Sequence, residues 1–202
     1  MTPGEVLDIL KKGNERFVKG SPSEKYLNHQ INATSFGQNP FAIVLSCIDS
    51  RTSAELIFDQ GLGDIFSVRI AGNIINEDIL GSMEFACKVA GSKIIVVLGH
   101  TKCGAVKGAC DHVEMGNLTA LLSKIRPAVV NETETKENRN SDNADFVQNV
   151  ASLNVKRTVK LIMEQSNILG QMINDGQIGI IGGMHDITSG QVTFYPDTKF
   201  II

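Results

Sequence analysis

The spacing of hydrophobic and polar positions changes several times along the chain, and each change marks an element. Residues 3–18, PGEVLDILKKGNERFV, set apolar side chains three and four apart behind a proline, which predicts an amphipathic helix. A polar, loop-like stretch follows as far as Pro40, and the two together read as an N-terminal helical arm, 1–40. Beyond it, short apolar runs alternate with helical spacing. Strands are predicted over 41–46 (FAIVLS), 64–70 (DIFSVRI) and 93–99 (KIIVVLG). The last is almost continuously apolar, as expected of a strand covered on both faces. Helices are predicted over 53–60 and 77–90, stopping at Gly61 and Gly91, then in AVKGACDHV, LTALLSKIRPAVV and across 145–174. GQIGIIGGMHD and GQVTFY read as two strands of a hairpin turning at DITSGQ. The run NETETKENRNSDN, 131–143, is polar enough that an exposed loop or helix end is expected there.

Strands alternating with helices predict an α/β fold: a mainly parallel central β-sheet flanked by helices, with the N-terminal helical arm and a C-terminal hairpin strand. No repeat or linker divides the chain, so a single domain over 1–202 is expected, with its α/β core at 41–202. A length of 202 residues, 42% hydrophobic, is enough to bury such a core. The net charge of −3 gives no basic surface for nucleic acid. No apolar run approaches the ~20 residues that span a bilayer, and the N-terminus does not read as a signal peptide. A cytoplasmic protein with no membrane partner is expected.

The chemistry sits where two strands end. Strand 41–46 runs into Cys47, Asp49 and Arg51 (SCIDSR), and strand 93–99 runs into His100 and Cys103 (GHTKCG). Open parallel sheets bind ligands beyond the carboxyl ends of their strands, and these two strands can lie side by side with a helix between them. Cys47, His100 and Cys103 then converge as a Cys₂His set suited to Zn²⁺, with one tetrahedral position open, as catalytic sites have. A cysteine after an apolar strand is also commonly a small core residue. That is the reading for Cys87 and Cys110, whereas CxDSR and GHTxCG together point to a metal. Asp49 is the candidate fourth ligand unless Arg51 grips its carboxylate bidentately and holds it off. Four cysteines spread through a mid-sized chain fit metal binding or burial better than disulfides.

CIDSR and GHTKCGAV resemble the two signature motifs of the β-class carbonic anhydrases. The resemblance continues through MTPGEVLDILKKGNERF, FDQGLGDIFSVRIAGN, GSMEFACKVAGSKIIVV and IIGGMHDITSGQVTF, and is weakest at 131–143. It implies one zinc per chain on Cys47, His100 and Cys103, with Asp49 and Arg51 as a catalytic dyad. It also implies that Gln38 donates to substrate, that Phe66 and Ala71 line a narrow apolar pocket, and that the Gly104 N–H meets substrate oxygens. Phe85 stands on the partner-facing side, where relatives often carry a tyrosine. The implied activity is reversible hydration of carbon dioxide to bicarbonate and a proton by zinc-bound hydroxide, in a homodimer or homotetramer whose arms wrap around a partner. Members that swing the aspartate onto zinc resemble one another in a tryptophan three residues before the first cysteine. Val44 stands there, the chain has no tryptophan, and Arg69 matches an arginine of both kinds, so Asp49 is expected on Arg51. Two alternatives use the same residues: a carbon disulfide or carbonyl sulfide hydrolase on this fold, and a non-catalytic zinc or thiol module. The second has no use for a positioned Asp–Arg pair. No proton shuttle is identified, since His29, His112 and His185 adjoin neither motif.

Overall fold

The computed structural model describes residues 1–201. Helix α1 (Pro3–Val18) begins on a reciprocal capping box between Thr2 and Glu5, with Pro3 where the helix needs no amide donor. Its buried stripe, Val6, Leu7, Leu10, Gly13 and Asn14, follows the three-and-four spacing of the sequence. The stretch up to Pro40 differs from the loop expected: α2 (Leu27–Thr34) forms there, with no side-chain cap and no buried residue. Leu27 and Ile31 lie one turn apart on α2 and are 60% and 53% exposed, so contacts within this chain do not account for the helix.

The chain then builds β1 (Ala42–Ser46), α3 (Ala54–Ile57), β2 (Ile65–Arg69) and α4 (Glu77–Glu84), whose last turn widens over Phe85–Val89. There follow β3 (Ile94–His100), α5 (Gly104–Cys110), α6 (Gly116–Ser123) and α7 (Arg126–Asn131). The chain closes with α8 (Ala144–Gln165), α9 (Asn167–Asn174), β4 (Gly179–His185) and β5 (Val192–Phe194). Among the described residues these strands form one sheet in the order β2-β1-β3-β4-β5. All pairings are parallel except β4 with β5, the expected hairpin. β1 and β3 are neighbours, in register from Ala42–Ile94 to Ser46–Leu98, and both are buried throughout.

Alternate residues of the central strands face two layers. Ile43, Leu45, Ile95 and Val97 join one core with α5, α8 and α9, while Val44, Val96 and Leu98 join another with α1 and α3. Helix α8 lies so near β3 that a Cβ on Gly99 would fall 2.6 Å from Val155 Cγ2. The polar run 131–143 also departs from expectation. Glu132 is 2% exposed and accepts hydrogen bonds from Thr135, Arg139 and Asn149. Arg139 in turn lies 4.6 Å over the Phe146 ring, so the run folds around one buried, paired carboxylate. Among the described residues no helix is long and apolar enough to cross a membrane.

Candidate metal centre

Cys47 follows β1 directly, because the strand loses its ladder where the chain turns. Two side chains hold that turn. Thr52 Oγ1 donates to the carbonyls of Cys47 and Asp49 at 3.2 and 2.9 Å. Arg69, in register with Ser46 on the adjacent strand, donates from Nε to Cys47 O at 3.0 Å and from Nη2 to Asp49 O at 2.6 Å. His100 ends β3, and Cys103 immediately precedes α5, with no capping hydrogen bond from its side chain. Lys102 between them adopts a left-handed φ of 57°, which tightens the turn.

One ligand atom from each of Cys47, His100 and Cys103 lies within 4.8 Å of the other two, and all three residues are buried. The two sulfurs are 3.9 Å apart. Tetrahedral zinc with Zn–S bonds near 2.3 Å separates two thiolates by about 3.8 Å, so this pair already stands at a ligand spacing. His100 Nδ1 is 2.9 Å from Thr101 O and takes the proton as donor, which leaves Nε2 as an acceptor. That Nε2 is buried and has no hydrogen-bond partner among the described residues. A buried orphan acceptor beside two thiols is what a soft metal ion satisfies. Gly72 N donates to Cys47 Sγ at 3.4 Å, from a residue with φ +70° where a Cβ would meet Ile125 Cδ1 at 2.5 Å. The hydrogen bond with Cys103 draws the Cys47 thiol well below its ordinary pKa, and the same contact together with burial pushes Cys103 up.

Asp49 is not part of the metal-ligating group. Its Oδ1 accepts from Arg51 N at 3.0 Å and Arg51 Nε at 2.9 Å, and its Oδ2 from Arg51 Nη2 at 2.7 Å. These bonds hold the carboxyl well below the usual carboxylate range, so it is ionised at neutral pH. Of the remaining sequence candidates, Phe66 and Phe85 meet edge to face with centroids 6.3 Å apart, in a cleft that also includes Ile43 and Val68. Ala71 opens the short turn that carries Gly72, and Gly104 is the exposed first residue of α5. Gln38 is exposed between α2 and β1 and makes no hydrogen bond among the described residues, beside a Phe36 that is 102% exposed. Cys87 and Cys110 are buried outside the ligand group; burial pushes their thiols up to about 12 and about 11.

Sequence reasoning passed over His185, which the sheet brings into register with His100. It is 2% exposed, and neither ring nitrogen has a partner among the described residues. Burial, and then the neighbouring His100, push its pKa down to about 4, so it is neutral at ordinary pH. It also passed over the carbonyl clamps of Thr52 and Arg69 and the amide of Gly72. Thr52 lies only five residues from Cys47, whereas Arg69 and His185 are connected to the centre by which strands are neighbours.

The profile of the family described as Carbonic anhydrase matches residues 42–192. Among characterised proteins, Carbonic anhydrase 2 of Mycobacterium tuberculosis is 37% identical over 196 residues, 94% of this chain and 91% of that protein. The carbonic anhydrase of Mycolicibacterium smegmatis is 34% identical over 94% of this chain and 92% of its own. A solved β-carbonic anhydrase of the fungal pathogen Aspergillus fumigatus superposes with a TM-score of 0.73 at 25% identity, covering 95% of this chain and 91% of that one. One of two tetrameric β-carbonic anhydrases from Sordaria macrospora shares the fold at 23% identity, with a TM-score of 0.73 over 84% and 90%.

Proposed function

Because this chain belongs to the β-class carbonic anhydrases, we propose that it catalyses the reversible hydration of carbon dioxide to bicarbonate and a proton, with one zinc held by Cys47, His100 and Cys103. The observation that carries this reading is the buried Cys₂His group with its orphan imidazole nitrogen, together with the Asp49 carboxylate that Arg51 holds by three hydrogen bonds. Zinc there supplies Lewis acidity, which makes water a competent nucleophile near neutral pH. Asp49, ionised and fixed by three hydrogen bonds, accepts a hydrogen bond from the attacking water and so turns an oxygen lone pair toward the carbon of carbon dioxide. Phe66, Ala71 and Phe85 offer an apolar wall to a substrate that has no dipole. As the new C–O bond forms, charge moves onto the substrate oxygens, where the Gly104 N–H and the Gln38 amide are suited to receive it.

Gln38 is assigned to the site of a neighbouring subunit, because it stands free of its own chain on an arm with exposed apolar residues. On this reading the arm, 1–40, serves a homodimer or homotetramer built on the 41–202 core. The cytoplasm suits four free cysteines, all buried. The relatives are named for carbon dioxide chemistry, which disfavours hydrolysis of carbon disulfide or carbonyl sulfide.

The test compares the zinc-loaded protein with its Asp49→Asn variant. The parent should hydrate carbon dioxide. The variant should keep one zinc per chain and lose on the order of 10²-fold or more in kcat, since an amide presents a donor where the mechanism needs an acceptor. Near-normal turnover in Asp49→Asn would remove Asp49 from the mechanism. No hydration by the zinc-loaded parent would remove the function.

A further inference from the structure

A small cleft opens beside Ile74 and Ile75, just after the Ala71–Asn73 turn, between α6, α7 and α8, with a volume of about 160 Å³. Lys124 and Arg157 reach it from two different helical segments, and its lining contains no carboxylate. Neither cation is ion-paired among the described residues. Arg157 Nε is buried without any hydrogen-bond partner, and Lys124 Nζ finds only the Ile75 carbonyl, at 3.3 Å. Ser123 and Gln165 add a hydroxyl and an amide to the lining. Two unneutralised cations and the Gln165 amide face one small cleft without a common acceptor, while the Ser123 hydroxyl already donates to Ala120 O at 2.7 Å.

We propose that this cleft binds a tetrahedral oxyanion of the phosphate or sulfate class, clamped between Lys124 and Arg157. Two cations match a dianion, and the guanidinium fork can take two of its oxygens. The volume accommodates such an ion with a few waters, at about 30 Å³ per water. The cleft is separate from the metal group but shares its scaffold. Asn154 and Thr158 line it and donate to the carbonyls of Gly72 and Asn73, at 2.8 and 3.4 Å. Gly72 is the residue whose amide reaches Cys47 Sγ. The cleft and the Gly72 turn thus share Asn154 and Thr158.

The test titrates the zinc-loaded protein calorimetrically with inorganic phosphate at constant ionic strength, and compares Lys124→Gln, Arg157→Gln and the conservative Arg157→Lys. Zinc content and far-UV circular dichroism establish that each variant is folded. The parent should bind phosphate with a dissociation constant in the millimolar range. Each neutral variant should bind about tenfold or more weakly, as the loss of one charge-assisted contact implies, while Arg157→Lys retains most of the affinity. A crystal soaked in phosphate should carry the anion between Lys124 and Arg157. Phosphate binding that both neutral variants leave unchanged would assign the anion to the metal alone and overturn the proposal. So would density for phosphate only at the metal group.

Discussion

Asp59 is the most heavily engaged carboxylate of the arm's root. It adopts a left-handed φ of 50°, its side chain is 2% exposed, and it meets Arg16, Lys25 and the amide and hydroxyl of Ser23. Burial alone would raise its pKa, but hydrogen bonds from Lys25, Ser23 and Arg16 outweigh that and hold it well below the usual carboxylate range. A carboxyl depressed in the folded state contributes stability above its unfolded pKa, near 3.9, and loses it as pH falls toward the folded value. The melting temperature should therefore fall steeply below about pH 4. Asp59→Asn should flatten that slope and cost about 3–5 kcal/mol at pH 7, because two partly buried cations lose their counter-ion. Thermal melts of both proteins across pH 2–7 check this, and parallel curves would refute the assignment. Legibility at this scale follows distance along the chain. Cys47, Asp49 and Arg51 lie within five residues of one another, and His100 and Cys103 within four, so their chemistry is visible in the motif. Arg69 and His185 join the same centre only through strand pairing, which leaves no local trace.

Asn14 does the same work between elements that Asp59 does between residues. From α1 its amide donates to Ile57 O at 3.1 Å and Gly190 O at 2.9 Å, and its carbonyl accepts from Val192 N at 2.8 Å. One buried side chain thus ties α1 to α3 and to the β4–β5 hairpin. Asn14→Ala leaves two buried backbone groups and one partly buried one, Gly190 O, unpaired, at about 1–3 kcal/mol each when water cannot reach them. A loss of roughly 3–6 kcal/mol is expected, which lowers the melting temperature by about 10 °C or more in a chain of this size. A calorimetric change under 1 kcal/mol would mean that α1 docks by its apolar stripe alone. The stripe itself, and the strands 41–46 and 93–99, were readable because burial imposes their period or their continuous apolarity. Helix α2 was not, because YLNHQINAT has neither a cap nor a buried face within this chain. The fold at 131–143 was hidden for the opposite reason: a buried Glu132 looks like any other acid in a polar run.

For the whole molecule, the arm presents a run of exposed apolar side chains suited to a second surface. Tyr26, Leu27, Ile31 and Phe36 are 70%, 60%, 53% and 102% exposed, and they follow one another along the arm. Light scattering of the zinc-loaded protein at micromolar concentration should give at least twice the chain mass, and Phe36→Glu should lower it. A monomeric parent would contradict the assignment of Gln38 to a neighbouring subunit. The separation of the ligands along the chain also has a consequence for biogenesis. Cys47 and Cys103 are 56 residues apart, on different strands of a parallel sheet. Bringing them together in an unfolded polypeptide costs about 3.5 kcal/mol in closure entropy, before any geometry is right. The sheet that unites them is held by its own fully buried strands, so metallation is expected to follow its assembly, unlike a zinc finger, where the ion itself drives folding. A chelator-stripped sample should keep its far-UV circular dichroism and its cooperative melt, at a lower temperature. Added zinc should restore activity in a single bimolecular step whose rate scales with metal concentration and carries no refolding phase. A newly made chain would then be folded and inert for as long as free zinc is scarce, so in a zinc-starved cell the pool of apoprotein, rather than synthesis, would set how fast activity returns.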